Sequence, residues 1–218
     1  MKKHIRCITP FIIIICFLIG ITSCADNTNN QWQNEKIPQK KIKNIILLIG
    51  DGMGRNQVKF GGYSFEKDLC FIDAASYTVV DTYSLNGVTD SAAAATAYST
   101  GILTENGCVA INPHNPEEEY ETIMDFAKKY GKSTGIITTE YMTGATPMGF
   151  MGHGTRSDDE RLTDTASKSN IDLIAFDNSY NSAYVDKFEA EGYMEINDYE
   201  QIASASGKVI APLPIRPL

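Results

Sequence analysis

The sequence predicts an α/β fold with a mostly parallel sheet and covering helices, and three observations carry that expectation. Ile45 to Ile49 is a continuous apolar run closed by Gly50, which suits a central strand buried on both faces. Tyr77 to Tyr83 is rich in β-branched and aromatic residues and reads as a second strand. From Tyr120 onward, helical and extended stretches alternate, as they do where parallel strands are joined by helical crossovers.

The chain has 218 residues, enough for one domain with a real core, and 43% hydrophobic with 21% charged residues is an ordinary globular composition. A formal net charge of -8 and the lack of a basic patch interleaved with aromatics argue against a nucleic-acid partner. The same acidity gives no steering toward phosphate esters, so a phosphate site would depend on local groups or metal ions.

Residues 1–23 read as a signal peptide. Lys2, Lys3 and Arg6 form a positive start, and Phe11 to Ile21 is an apolar run that is short for a membrane span. Ile21-Thr22-Ser23-Cys24 resembles a bacterial lipoprotein cleavage box, with Cys24 as the lipidated first residue. The expected location is the cell envelope, lipid-anchored to a membrane and facing the periplasm or exterior. Residues 24–43 are polar and amide-rich, as a flexible tether would be. Of the five cysteines, Cys70 and Cys108 lie in the body, where a disulfide and two separate thiols are both open.

Within the body, Asp51 follows the first apolar run directly, where the carboxyl end of a strand gives way to a glycine-flanked loop. Ligand groups collect at such ends in α/β sheets, and Gly50, Gly52 and Gly54 leave room for a metal; an Asp-Gly turn is the plainer reading. Ser84-Leu85-Asn86-Gly87 is a turn that leads to Asp90-Ser91 and a run of alanines. Asp90 can cap the alanine helix, which places Ser91 in its first turn, where free N–H groups and the helix dipole attract an anion. A capped alanine helix packed against a sheet has the same pattern without any chemistry. Gly101 to Asn115 reads as a loop, and Glu117-Glu118-Glu119 as a solvated helix start. Tyr120, Ile123, Met124, Ala127 and Tyr130 recur at helical spacing before Gly131, and Ser133 to Thr139 is extended. Leu162 to Lys168 and Ala183 to Glu191 read as helices on either side of a strand at Ile171 to Phe176. The proline-rich end, Ala211 to Leu218, offers no closing strand.

Val88 to Thr96 resembles the active-site signature of the alkaline phosphatase family, in which the serine after the aspartate becomes a phosphoserine intermediate. Asn44 to Gly54 is similar to that family's first metal-binding strand and loop, and Gly144-Ala145-Thr146-Pro147 to a third motif. The resemblance implies a three-layer sandwich with a mostly parallel central sheet, incomplete at the C-terminus, residues 44–218 being the N-terminal portion of the domain. It implies hydrolysis of phosphate monoesters with Ser91 as nucleophile, Zn2+ and Mg2+ as cofactors, and Asp51, Ser91 and Thr146 among the metal ligands. The family's aspartate or histidine two residues before the threonine is Gly144 here, so one magnesium contact is missing or taken by water. The phosphate-clamping arginine of the family would fall on Ser157; Arg156, one residue earlier, either serves instead or is a surface arginine. His153 matches a histidine that the family often carries and reads as structural.

Most of the family's metal ligands come from the second half of a longer chain. With three histidines in all, only His114 and His153 stand outside the leader. Activity is therefore expected to be impaired unless a complementing C-terminal polypeptide completes the site; a homodimer is the other expected partner. The alternative is a non-catalytic lipoprotein whose helix N-terminus binds phosphate or a partner.

Overall fold

The computed structural model describes residues 42–65, 69, 71, 78–178 and 184–214, so the leader, Cys24 and Cys70 lie outside the described residues. The chain divides into two units after Leu48. In the first, the described residues 42–48 are exposed and without regular structure. Every element below belongs to the second.

A parallel sheet of four strands organises this unit. Its order is β6 (Gly135–Ile137), β8 (Leu173–Asp177), β10 (Val209–Leu213) and β9 (Met194–Glu195). Side chains alternate between its faces because successive residues of a strand point oppositely. Ile136, Ile174, Phe176 and Ile210 join one core cluster with Met148, Leu162 and Phe188. Ala175, Val209, Ala211 and Leu213 join the other with Ile196. The first face is the thicker one. It packs residues of α2 (Ser91–Thr100), α4 (Ala145–Met148), α5 (Asp159–Ser167) and α6 (Val185–Ala190), while Ile202 of α7 (Tyr199–Ile202) lies on the second.

Short antiparallel pairs frame α2. Strands β1 (Tyr83–Ser84) and β2 (Gly87–Val88) form a hairpin across Leu85 and Asn86, and Gly87 takes a φ of 135° that its lack of a Cβ permits. Strand β3 (Cys108–Val109) pairs with β7 (Gly154–Thr155), so Cys108, a free thiol, lies on one strand of a two-stranded pair, and burial pushes its pKa up.

Five stretches differ from expectation. Ile45 to Ile49 is not a strand. A strand buried on both faces needs ladder partners on both sides; this run has none among the described residues, and its side chains are 39% to 88% exposed. Of Tyr77 to Tyr83, Tyr77 lies outside the described residues, 78–82 are unladdered, and only Tyr83 pairs. The loop expected before Asn115 contains β3 and β4 (Ile111–Asn112). Glu117 to Glu119, expected to start a helix, ends the exposed strand β5 (Asn115–Glu119) paired with β4. Arg161 binds Glu117 at 3.0 Å there, and the true helix, α3 (Ile123–Lys129), begins at the capping box of Thr122 and Asp125. Finally, the proline-rich end supplies β10, a buried strand. Pro212 is tolerated because β9 pairs only with Val209 and Ile210, which leaves one side of β10 without a ladder to interrupt.

Candidate active site

Ser91 is placed by the packing of α2. Alanines bring helix propensity and a smooth surface, and Ala92, Ala93 and Ala95 are buried. Thr96 caps nothing but stitches the helix to β3 and the residue after it, donating to Cys108 O at 3.2 Å and accepting from Ala110 N–H at 2.8 Å. Gly101, with φ 74°, ends the helix through a bond to Ala97 O.

At the other end Asp90 is the N-cap. Its carboxylate accepts from Ala93 N–H at 2.9 Å, Gly107 N–H at 3.0 Å and Arg156 Nη1 at 2.9 Å. Burial by itself pushes the Asp90 carboxyl up, but these three donors outweigh it and hold the pKa below the ordinary value. Asn106 fixes the approach to the cap: it accepts from Asp90 N–H at 3.0 Å and donates to Val88 O at 2.7 Å. Asn106, in the turn sixteen residues after Asp90, carries no local motif that marks this role.

Three of the expected site residues come together. Thr146 Oγ1 donates to Asp51 Oδ2 at 2.7 Å, and Ser91 Oγ donates to the same carboxylate at 3.3 Å. Arg156 is drawn to the neighbourhood by its ion pair with Asp90, one residue from Ser91, and its remaining guanidinium N–H groups bond to no described residue. The guanidinium therefore keeps donors for an oxyanion. His153 stands apart from this group: its Nδ1 lies 3.0 Å from Ala110 O, which ties the ring to the loop beneath.

Glu140 is a further carboxylate that the sequence reading missed. It is half-buried, and burial pushes its pKa up; the neighbouring Asp51 charge adds to the rise while Arg156 opposes it. The signal that would have found it is the glycine at 144, whose missing side chain leaves the space that Glu140 fills. A Cβ on Gly144 would collide with the carboxyl carbon and Oε2 of Glu140.

The donors gathered here are carboxylate and hydroxyl oxygens, and that chemistry fits a hard cation such as Mg2+. Zinc sites take three or four ligands drawn mainly from His, Cys and carboxylates. Among the described residues no group of three or more His, Cys, Asp or Glu stands together, so these residues do not fit zinc.

Residues 42–181 match the family model described as alkaline phosphatase. Alkaline phosphatase 3 of Bacillus subtilis is 35% identical over 167 residues, which cover 70% of this chain and 35% of that protein. The cold-active alkaline phosphatase of a psychrophilic Shewanella superposes with a TM-score of 0.60 at 31% identity, covering 76% of this chain and 45% of that one. Alkaline phosphatase from the Antarctic bacterium TAB5 gives a TM-score of 0.68 at 25% identity over 78% of this chain and 53% of that one. A histidine-to-glutamate variant of that enzyme has Mg bound in its M3 site. The chain thus spans about a third of the curated relative and about half of the solved ones.

Proposed function

Because this chain belongs to the alkaline phosphatase family, we propose that it acts on phosphate monoesters through a phosphoserine formed on Ser91. The observation that carries this reading is the Ser91 hydroxyl at a helix N-terminus, 3.3 Å from a carboxylate that Thr146 also grips.

In this mechanism the phosphate group lies against the first turn of α2, where the early N–H groups lack helical partners. Arg156 adds its free guanidinium donors, held in position by Asp90. Ser91 Oγ attacks phosphorus in line; the bond from phosphorus to the alcohol oxygen breaks, and the alcohol leaves with a proton. Water then hydrolyses the phosphoserine, returning the serine hydroxyl and inorganic phosphate. Asp51 orients the Ser91 hydroxyl, and a serine without activation is a poor nucleophile. Asp51 and Thr146 would hold Mg2+, which supplies positive charge for the phosphate oxygens and the developing alkoxide.

The described residues bring no zinc cage, so we expect the unassisted chain to turn over slowly. The test is release of a chromogenic alcohol from its phosphate monoester, with and without added Mg2+ and Zn2+, for the chain and for Ser91→Ala. Slow, metal-stimulated release that Ser91→Ala removes is expected. Fast release by the unassisted chain would contradict the impairment, and release indifferent to Ser91→Ala would contradict the nucleophile. Phosphate binding without any release would favour the non-catalytic reading. The same reading keeps Cys24 as a lipid anchor in the cell envelope, and Cys24→Ser should abolish labelling by radioactive fatty acid.

A further inference from the structure

We propose that Glu140 replaces, from four residues upstream, the cation ligand whose position is occupied by Gly144. The inference rests on the cation site of the preceding section and names a residue for it that the family motif does not contain. Gly144 is buried at the start of α4, has no side chain to offer, and stands two residues before Thr146. The room beside it is not empty. It holds the Glu140 carboxyl, placed so that any Cβ at 144 would strike it.

The backbone keeps Glu140 there. Its N–H donates to Thr138 Oγ1 at 3.1 Å, and its carbonyl accepts from Asp177 N–H at 3.0 Å, which fastens the residue to the carboxyl end of β8. Its carboxyl makes no hydrogen bond or ion pair with the described residues, although it is half-buried beside a second carboxylate, that of Asp51. Two neighbouring like charges attract positive charge, of which Arg156 supplies part, and the room beside Gly144 keeps the Glu140 carboxyl next to the cation site. Glu140, Asp51 and the Thr146 hydroxyl then give a hard cation three oxygen donors, and Mg2+ readily takes water for the rest. The glycine and the glutamate form one exchange: a long side chain from the preceding loop reaches a place that a short one on α4 would otherwise fill.

Mn2+ is a suitable probe, because its free-ion paramagnetic resonance signal falls as it binds and no turnover is needed. The full chain is titrated with Mn2+ as wild type, Glu140→Gln, Asp51→Asn and the double variant Glu140→Ala/Gly144→Asp. Circular dichroism melts establish that each is folded. Glu140→Gln should bind about tenfold more weakly, and the double variant should regain most of that loss by restoring a carboxylate at 144. Glu140→Gln binding as tightly as wild type, with Asp51→Asn weakened, would overturn the Glu140 assignment and leave the Asp51 site standing. Absence of Mn2+ binding in wild type, or binding indifferent to Asp51→Asn as well, would overturn both.

Discussion

The segment around Asp51 and the segment around Ser91 contribute to one site but are held in opposite ways. Ser91 opens a helix with Ala92, Thr96 and Ser99 buried, tied to Cys108 of β3 by Thr96 and to its loop by Asp90 and Asn106. Asp51 is followed by α1 (Arg55–Phe65), which has no buried residue and exposes Phe60, Tyr63 and Phe65. Asp51 meets the packed part of the unit through its side chain, by the bonds from Thr146 and Ser91. Ser91 is thus positioned by the fold, whereas the Asp51 carboxylate is positioned by its bonds to Thr146 and Ser91.

That contrast sets an order of expected effects. The largest should come from the packed region. Phe188 is fully buried, with Tyr193 edge-on at 5.2 Å between ring centroids, so Phe188→Ala should cost about 3–5 kcal/mol in urea unfolding. A cost under ~1 kcal/mol would mean that this core is not formed as described.

A smaller effect should follow loss of the Asp90 carboxylate. Asp90→Ala removes an N-cap and frees Arg156, and should cost about 1–2 kcal/mol near neutral pH. The pH dependence has a definite sign. The Asp90 pKa is lowered on folding, so its contribution is complete above the unfolded value of ~3.9 and is lost as pH falls through the folded one. Wild type should therefore lose more stability than Asp90→Ala on acidification across that window. Parallel curves would show that Asp90 is not ionised against these donors.

The smallest effect belongs to the exposed run. Ile46 is 83% exposed, so Ile46→Ser should shift stability by no more than ~0.5 kcal/mol. A loss of several kcal/mol would show that the run is buried in solution, and would erase the contrast between the two segments.

What could be read from the sequence follows the same division. The α2 cap and the alternation of helices and strands were legible because each depends on local chemistry or period, whereas Thr146 was marked only by its resemblance to a family motif. The apolar run at Ile45 misled because periodicity reports what a strand would need, not whether ladder partners are present. β10 was hidden by Pro212, which is harmless only because β9 is two residues long. Glu117 to Glu119 read as a helix start from charge alone, although Thr122 and Asp125 carried the more specific capping pattern. Nothing local to Arg156 showed that it pairs with Asp90, because the two residues are far apart in the chain. Asn106 and Glu140 were missed because their roles depend on loops meeting residues elsewhere in the chain.

The most direct measurement is to trap the covalent intermediate. The chain is mixed with a phosphate monoester and Mg2+, quenched in acid within the first turnover, digested, and mapped by mass spectrometry. A phosphoryl group on Ser91, lost in Ser91→Ala and reduced in Asp51→Asn, is the expected result. Phosphoryl transfer to another residue, or none to Ser91 while the alcohol is still released, would contradict the assignment of Ser91 as the nucleophile.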